Sequence, residues 1–372
     1  MTRVSPLFVL RRRLGAWGAP TLLVVAAFVI TRGLAVAATH LGSATMRPEK
    51  RAELEYVPGG LRPAPVPPFL EPLQRWDADF YASIAVNGYP GPDAPRRNYH
   101  LGFFPLYPLA VRALTPLFGN VYWAAFALSN ACALAAALVL LELGAVRRRA
   151  DGLRSALLFL AAPGANFLSY PYSEALFALA LAVGLLAARR ERLAVAAAAG
   201  IAASSTRAPG LAVAVALATS PGARRLLAAA VAILGTAAFA LWCARVYGDP
   251  LAFIQVQASH KRVLSVMGPL RALFGFDADP DYYLVTLACI AAACAMVRRT
   301  PAWMWVSAWF MLLLPMATGT IQAMIRYQST NLPLLCGVPM ILRGRRYWGT
   351  LLASLLLMGL QAVLYGQGQP HF

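Results

Sequence analysis

Long apolar blocks separated by short polar ones run the length of the chain. They cover residues 20–38, 124–143, 155–169, 174–188, 193–218, 226–246, 282–297, 302–317, 332–342 and 349–364. Apolar runs of this kind, with few charges inside them, predict membrane helices. Three stretches break the pattern. Residues 58–72 are proline-rich and cannot form a regular helix. Residues 104–118 are apolar but carry Arg112 and several prolines, which suits a segment that lies in the interface or re-enters. The block at 193–218 is interrupted by Ser204-Ser205-Thr206-Arg207-Ala208-Pro209-Gly210, predicting a hairpin of two short helices with Arg207 near its turn. Irregular backbone and a charge at membrane depth need protein or a polar cavity around them.

The expected fold is therefore an all-α, polytopic integral membrane bundle of about eleven crossing or half-crossing helices. It forms one membrane domain, with extracytoplasmic loops at 40–120 and 247–281. Composition agrees: of 372 residues, 59% are hydrophobic and only 13% charged. The net charge of +18 could suggest nucleic acid. Its distribution points elsewhere, because arginines cluster between apolar blocks at 147–149, 189–192, 224–225, 298–299 and 343–346. That is the positive-inside pattern, and with Arg11, Arg12 and Arg13 it puts the N-terminus in the cytoplasm. Ala35-Val36-Ala37 resembles a signal-peptidase site, but so much membrane chain follows that a retained first span is the expectation. Arg32 would sit in the outer half of that span, snorkelling or serving an anionic lipid head. The five cysteines all fall in apolar segments, without metal spacing or a disulfide framework. Of fifteen acids, all but Glu142, Asp151 and Glu191 fall outside on this map. With no phosphate-binding glycine loop and no soluble cytoplasmic domain, an enzyme of this design takes an activated substrate from the lipid. No cofactor is implied, and a divalent metal is left open.

The densest chemistry outside the blocks is Arg75-Trp76-Asp77-Ala78-Asp79-Phe80-Tyr81, continuing to Asn87-Gly88-Tyr89. Read as a helix, Trp76, Phe80 and Ile84 share a face and Asp77 lies beside it. Such a helix would rest on the bilayer with Asp77 at its edge; the plain alternative is an amphipathic connector with solvated acids. Asp79 would point away from Asp77, so the two need not form a metal pair. Asp277, Asp279 and Asp281 read as loop solubilisers rather than a metal site.

Several segments resemble one family. Trp76-Asp77-Ala78 with Ile84-Ala85 and Gly88-Tyr89 is similar to the first-loop motif of the PIG-V family, the GPI mannosyltransferase 2 type. Phe103-Phe104-Pro105-Leu106-Tyr107-Pro108 resembles its Phe-Phe-Pro segment, and Tyr172-Ser173-Glu174-Ala175-Leu176-Phe177 its Tyr-Ser-Glu segment. Arg207-Ala208-Pro209-Gly210 resembles an Arg-x-x-Gly element, and Arg326-Tyr327 a late Arg-Tyr. An Asn-Pro-Ala element of the family reads Ala162-Pro163-Gly164-Ala165-Asn166 here.

The resemblance implies a glycosyltransferase of the C superfamily, in a helical bundle. Such an enzyme moves mannose from a polyprenyl-phosphate donor to a glycan, glycolipid or protein acceptor at the extracytoplasmic face of the cell membrane. The resemblance further implies an inverting mechanism with Asp77 as its general base. Arg207, Arg326 and the His260-Lys261-Arg262 cluster are then candidates for the lipid phosphate, since guanidinium forks suit phosphate oxygens. Trp76, Asp79, Tyr172, Glu174 and Tyr327 are candidates for binding sugar or acceptor, although Glu174 could simply cap its helix. The competing classes are a lipid-linked-sugar transporter or flippase and a non-catalytic subunit of a glycosylation complex. The halves show no inverted repeat, and the polar residues collect at one face rather than at the midplane, which weighs against a transporter.

Overall fold

The computed structural model describes residues 6–50, 61–93, 97–260, 262–275 and 278–369. Every regular element among them is helical. Pro6–Ala44, Val121–Leu143 and Gly344–Gly366 each contain a stretch long and apolar enough to cross a membrane. Ala223–Ala232 and Leu234–Tyr247 form a fourth such unit, bent by 42° between them. Shorter apolar helices, among them Leu193–Thr206, Pro280–Met296, Ala302–Met316 and Leu332–Ile341, complete the bundle. The chain is a multi-pass membrane protein.

Charge separates the two ends of the bundle. Glu142 pairs with Arg190 at 2.8 Å, Asp151 with Arg154 at 3.6 Å, and Glu191 with Arg225. Arg189 donates to the Leu143 and Glu142 carbonyls at 2.9 and 2.8 Å, closing the C-terminus of Val121–Leu143. The Glu174–Arg189 helix therefore has its C-terminus at this arginine-rich end. Its first residue, Glu174, stands about 24 Å away at 1.5 Å per residue.

Most predicted blocks appear as helices, with informative differences. The block expected at 155–169 is helical only over Arg149–Leu160; a turn through Pro163 then leads into a 3-10 turn, Ala165–Leu168. That early stop leaves carbonyls unsatisfied inside the bundle, and Arg32 supplies their donors. Its guanidinium is buried and donates to Leu160 O at 2.6 Å and to Ala165 O. Arg32 thus neither snorkels nor reaches a lipid head, which corrects that expectation.

A second correction concerns the Trp76 face. The helix is Asp77–Asn87 and Trp76 precedes it, so the three residues do not share a helical face. Ile84 is buried, Phe80 stacks on Phe103 at 4.9 Å, and Trp76 meets Tyr365 edge-on at 4.8 Å. Leu106–Phe118 packs along this helix, and its Arg112 donates to Ile84 O at 3.1 Å and Ala85 O at 2.5 Å. Flanking aromatics and this guanidinium cover most of the helix, which leaves Val86 and Asn87 as its exposed residues.

The interrupted block at 193–218 does break at Arg207. Leu193–Thr206 gives way to an extended Arg207, a 3-10 turn Ala208–Leu211, and Ala212–Ala218. The turn folds back so tightly that a Cβ on Gly210 would overlap the Ala203 carbonyl. We expect Gly210→Ala to cost about 1–3 kcal/mol, as overpacking does. Gly349→Ala should be neutral or stabilising by up to about 1 kcal/mol, because that site is helical with open space around it. Thermal unfolding of the two variants in detergent checks both.

Candidate functional site

Four side chains from distant parts of the chain meet at the end opposite the arginine-rich one. Three of them sit where a helix begins or breaks. Asp77 and Glu174 are the first residues of their helices, where free backbone amides favour a carboxylate. Arg207 occupies the break after Thr206, and Arg326 lies in the short helix Met324–Gln328.

They form a continuous chain of charge. Arg326 Nη1 is 2.7 Å from Asp77 Oδ2, and its Nε is 3.2 Å from Glu174 Oε1. The same Glu174 oxygen accepts from Arg207 Nη1 at 2.5 Å. Arg207 also reaches Ser173 Oγ at 3.1 Å, and that hydroxyl shares a 2.7 Å hydrogen bond with Tyr81. Aromatic rings surround the guanidinium groups. Arg326 Cζ lies 5.3 Å from the Tyr327 ring centre, with Phe167 at 5.5 Å and Tyr172 at 5.6 Å; Arg207 Cζ lies 5.2 Å from Tyr327. From the other side, Arg262 Nη1 donates to the Tyr327 hydroxyl at 3.2 Å. The chain runs from a side chain 21% exposed at Asp77 to one 1% exposed at Glu174.

Two guanidinium groups thus pair with two carboxylates, and a third, Arg262, joins them through Tyr327. Three buried atoms of the cluster, Glu174 Oε2, Arg262 Nη2 and Arg326 Nε, meet no hydrogen-bond partner among the described residues, although Arg326 Nε keeps its ion-pair contact with Glu174. A cluster with one positive charge in excess and unspent guanidinium donors is suited to an anion, whereas the free Glu174 oxygen can only accept.

Local backbone strain marks the same place. Trp76 and Ala323 have φ of 50° and 69°, in the region that favours glycine. Trp76 immediately precedes Asp77, and Ala323 begins the helix that carries Arg326. Such conformations cost roughly 1–3 kcal/mol and persist where the surroundings over-determine them. At Trp76 the surroundings are legible: Tyr172 donates to Arg75 O at 2.9 Å and Tyr365 to Leu73 O at 3.1 Å. At Arg326 the approach of Gly164 matters. A Cβ there would come within 2.7 Å of Ile325 O and 2.9 Å of Arg326 Cα, while its N–H donates to Ser329 Oγ at 2.8 Å. The glycine in Ala162-Pro163-Gly164-Ala165-Asn166 lets this turn lie against the backbone of Arg326.

Asp79 joins a different network. It accepts from Arg62 and Gln74, both at 3.2 Å, and Arg62 also binds Glu71 at 3.0 Å and Gln74 O at 3.1 Å. Burial raises its carboxyl above the usual range, opposed by Arg62. Asp79 thereby pins the loop that precedes Asp77 and does not touch the guanidinium cluster. His260 closes a 3-10 turn, Val256–His260. Lys261 and Asp277 lie outside the described residues, and Asp281 accepts from Gln361 at 2.6 Å. Tyr81, Ser173, Phe167 and Tyr365 also support the site, and sequence pattern alone gives them no role in it. The first three stand in or beside the quoted motifs; Tyr365, just past the last apolar block, carries no signal.

A family model for mannosyltransferase (PIG-V) matches residues 28–220. The chain belongs to this family. It is accordingly a membrane mannosyltransferase. No curated protein matches the sequence. The matched region of this mannosyltransferase contains Asp77, Tyr172, Glu174 and Arg207; Arg262, Arg326 and Tyr327 come from the chain beyond it.

Tyr327 offers a direct spectroscopic readout of the cluster. Burial opposes its ionisation, but Arg262, Arg326 and Arg207 outweigh that and lower the phenol to about 8. A phenolate absorbance component centred near pH 8 is expected, vanishing in Tyr327→Phe. Arg262→Gln removes one cation and should move it upward. A component unchanged in Tyr327→Phe would refute the assignment.

Proposed function

We propose that this enzyme transfers mannose from a polyprenyl-phosphate donor to an acceptor hydroxyl at the extracytoplasmic face, with inversion and with Asp77 as general base. The observation that carries the reading is the convergence of Arg207 and Arg326 on Asp77 and Glu174, with Arg262 joined to them through the Tyr327 hydroxyl, which leaves one positive charge in excess. A polyprenyl-phosphate sugar is a phosphodiester with one negative charge, so its phosphate would neutralise the cluster.

The chemistry follows as a single displacement. The donor phosphate binds among the three guanidinium groups and draws Arg326 away from Asp77. Asp77, no longer neutralised, accepts the proton of the acceptor hydroxyl. That oxygen bonds to the anomeric carbon from the face opposite the phosphate, and the carbon–oxygen bond to phosphate breaks. The leaving polyprenyl phosphate keeps the electron pair, and the guanidinium groups stabilise its charge. Displacement from the opposite face inverts the anomeric centre. Glu174, fixed between two arginines, holds both in place; Tyr327 supplies a ring on which a sugar can pack, and the buried Tyr172 backs the Arg326 guanidinium. No resident cofactor enters this scheme.

The orientation rests on charge distribution. By the positive-inside rule the arginine-rich end is cytoplasmic, so the opposite end, where Glu174 begins its helix, faces outward. This also bears on the transporter reading, since the charged cluster gathers at one end rather than midway.

The test uses purified protein in lipid nanodiscs with radiolabelled polyprenyl-phosphate mannose and a membrane acceptor extract. Asp77→Asn should lose about 10²–10⁴-fold in transfer, the usual contribution of a positioned base. Its donor binding should be kept or strengthened, because Arg326 is no longer shared. Arg326→Lys should lose both transfer and donor affinity, since one ammonium cannot reproduce the fork. Transfer by Asp77→Asn at the wild-type rate overturns the base assignment, and a wild type inert beside an active control enzyme overturns the donor.

A further inference from the structure

One surface feature lies outside the charged cluster yet begins beside it. From Arg262 the chain runs as a strap without regular structure into the short helix Gly268–Phe274. Its backbone turns inward. Val263 N–H donates to Thr318 O at 3.1 Å and Ser265 N–H to Ala317 O at 2.8 Å, which ties the strap to the end of Ala302–Met316. Met267 N–H donates to Ser265 Oγ at 3.2 Å, and Gly268 N–H to Ser265 O at 2.9 Å.

The side chains turn outward. Val263, Leu264, Val266, Met267, Leu270 and Phe274 are all exposed, Val266 by 97%. So dense an apolar face is out of place in water and marks a surface made to meet hydrocarbon. On this face is an open groove of about 530 Å³ lined by Leu270, Arg271, Phe274, Gly275 and Gly319.

We propose that this groove holds the isoprenoid tail of the donor. The inference rests on the polyprenyl-phosphate reading above. Continuity with the cluster commits the groove to that occupant. Arg262 reaches the Tyr327 hydroxyl with its guanidinium, and the next residue, Val263, opens the apolar face. An anionic head at the cluster would therefore have a hydrocarbon-lined path beginning one residue away. A bulk phospholipid could wet the strap, but only the donor must present head and tail to both at once.

The experiment compares kcat/KM for two mannose donors that share the phosphate, one with a long polyprenyl chain and one with a single short prenyl unit. The wild type should prefer the long chain. Leu270→Ser with Phe274→Ser should lower the long-chain value about tenfold, as if roughly two methylenes of tail went unburied, and leave the short-chain value unchanged. The preserved short-chain activity reports intact folding. Leu270→Trp, which fills the groove, should act in the same direction. Val266→Ser, equally apolar and more exposed but off the groove, should change neither. Equal losses with both donors, or none, overturn the groove while leaving the donor reading intact. A wild type that uses neither donor overturns the donor reading and the groove together.

Discussion

The bridge that Arg326 makes between Asp77 and Glu174 is the contact on which the rest of the site depends. A guanidinium buried among apolar helices is tolerable only when paired, and removing one partner of such a pair costs about 3–5 kcal/mol. Here one arginine serves two acids, and one of those acids serves a second arginine. The four groups therefore stand or fall together. Glu174, which could have been a plain helix cap, is the centre of the arrangement and its most buried member.

The rest of the fold brings these charges to one place. Helix N-termini supply the two acids, a broken helix supplies Arg207, and a short helix after a strained Ala323 supplies Arg326. Gly164 and Gly210 permit the close backbone approaches that these breaks require. Tyr172, Tyr365 and the Arg62–Asp79 pair hold the loop before Asp77 by its carbonyls and side chains. Arg32 does the same at the broken end of Arg149–Leu160. Interrupted helices leave orphan carbonyls in an apolar bundle, and arginines and tyrosines repeatedly supply the missing donors.

The protein presents two unlike surfaces in sequence, a cationic cluster and an apolar strap, joined at Arg262. A soluble enzyme acting on a sugar nucleotide would have little use for the strap. A membrane enzyme acting on an amphiphile has use for both, and the Val263 and Ser265 amides tie the strap to the end of Ala302–Met316 while its apolar side chains face out.

Membrane class, the helical blocks, the break at Arg207 and the family motifs were legible in the sequence, because each is local. Apolar length reports a helix in lipid, and a polar insertion in such a block reports a break. Asp77, Glu174, Arg207 and Arg326 could be singled out for the same reason, as charges or motifs in the wrong surroundings. What they do to each other could not. Asp77 and Arg326 are 249 positions apart, and no periodicity records their ion pair. Asp79, two positions from Asp77, looks equivalent in sequence, yet the fold gives it to Arg62 and the loop. Arg32 looks lipid-directed until the early end of Arg149–Leu160 supplies carbonyls for it. Sequence pattern settles which segments leave water, but the pairing of charges is decided by how those segments pack, since Coulomb and hydrogen-bond energies act only at contact distances that tertiary structure alone sets.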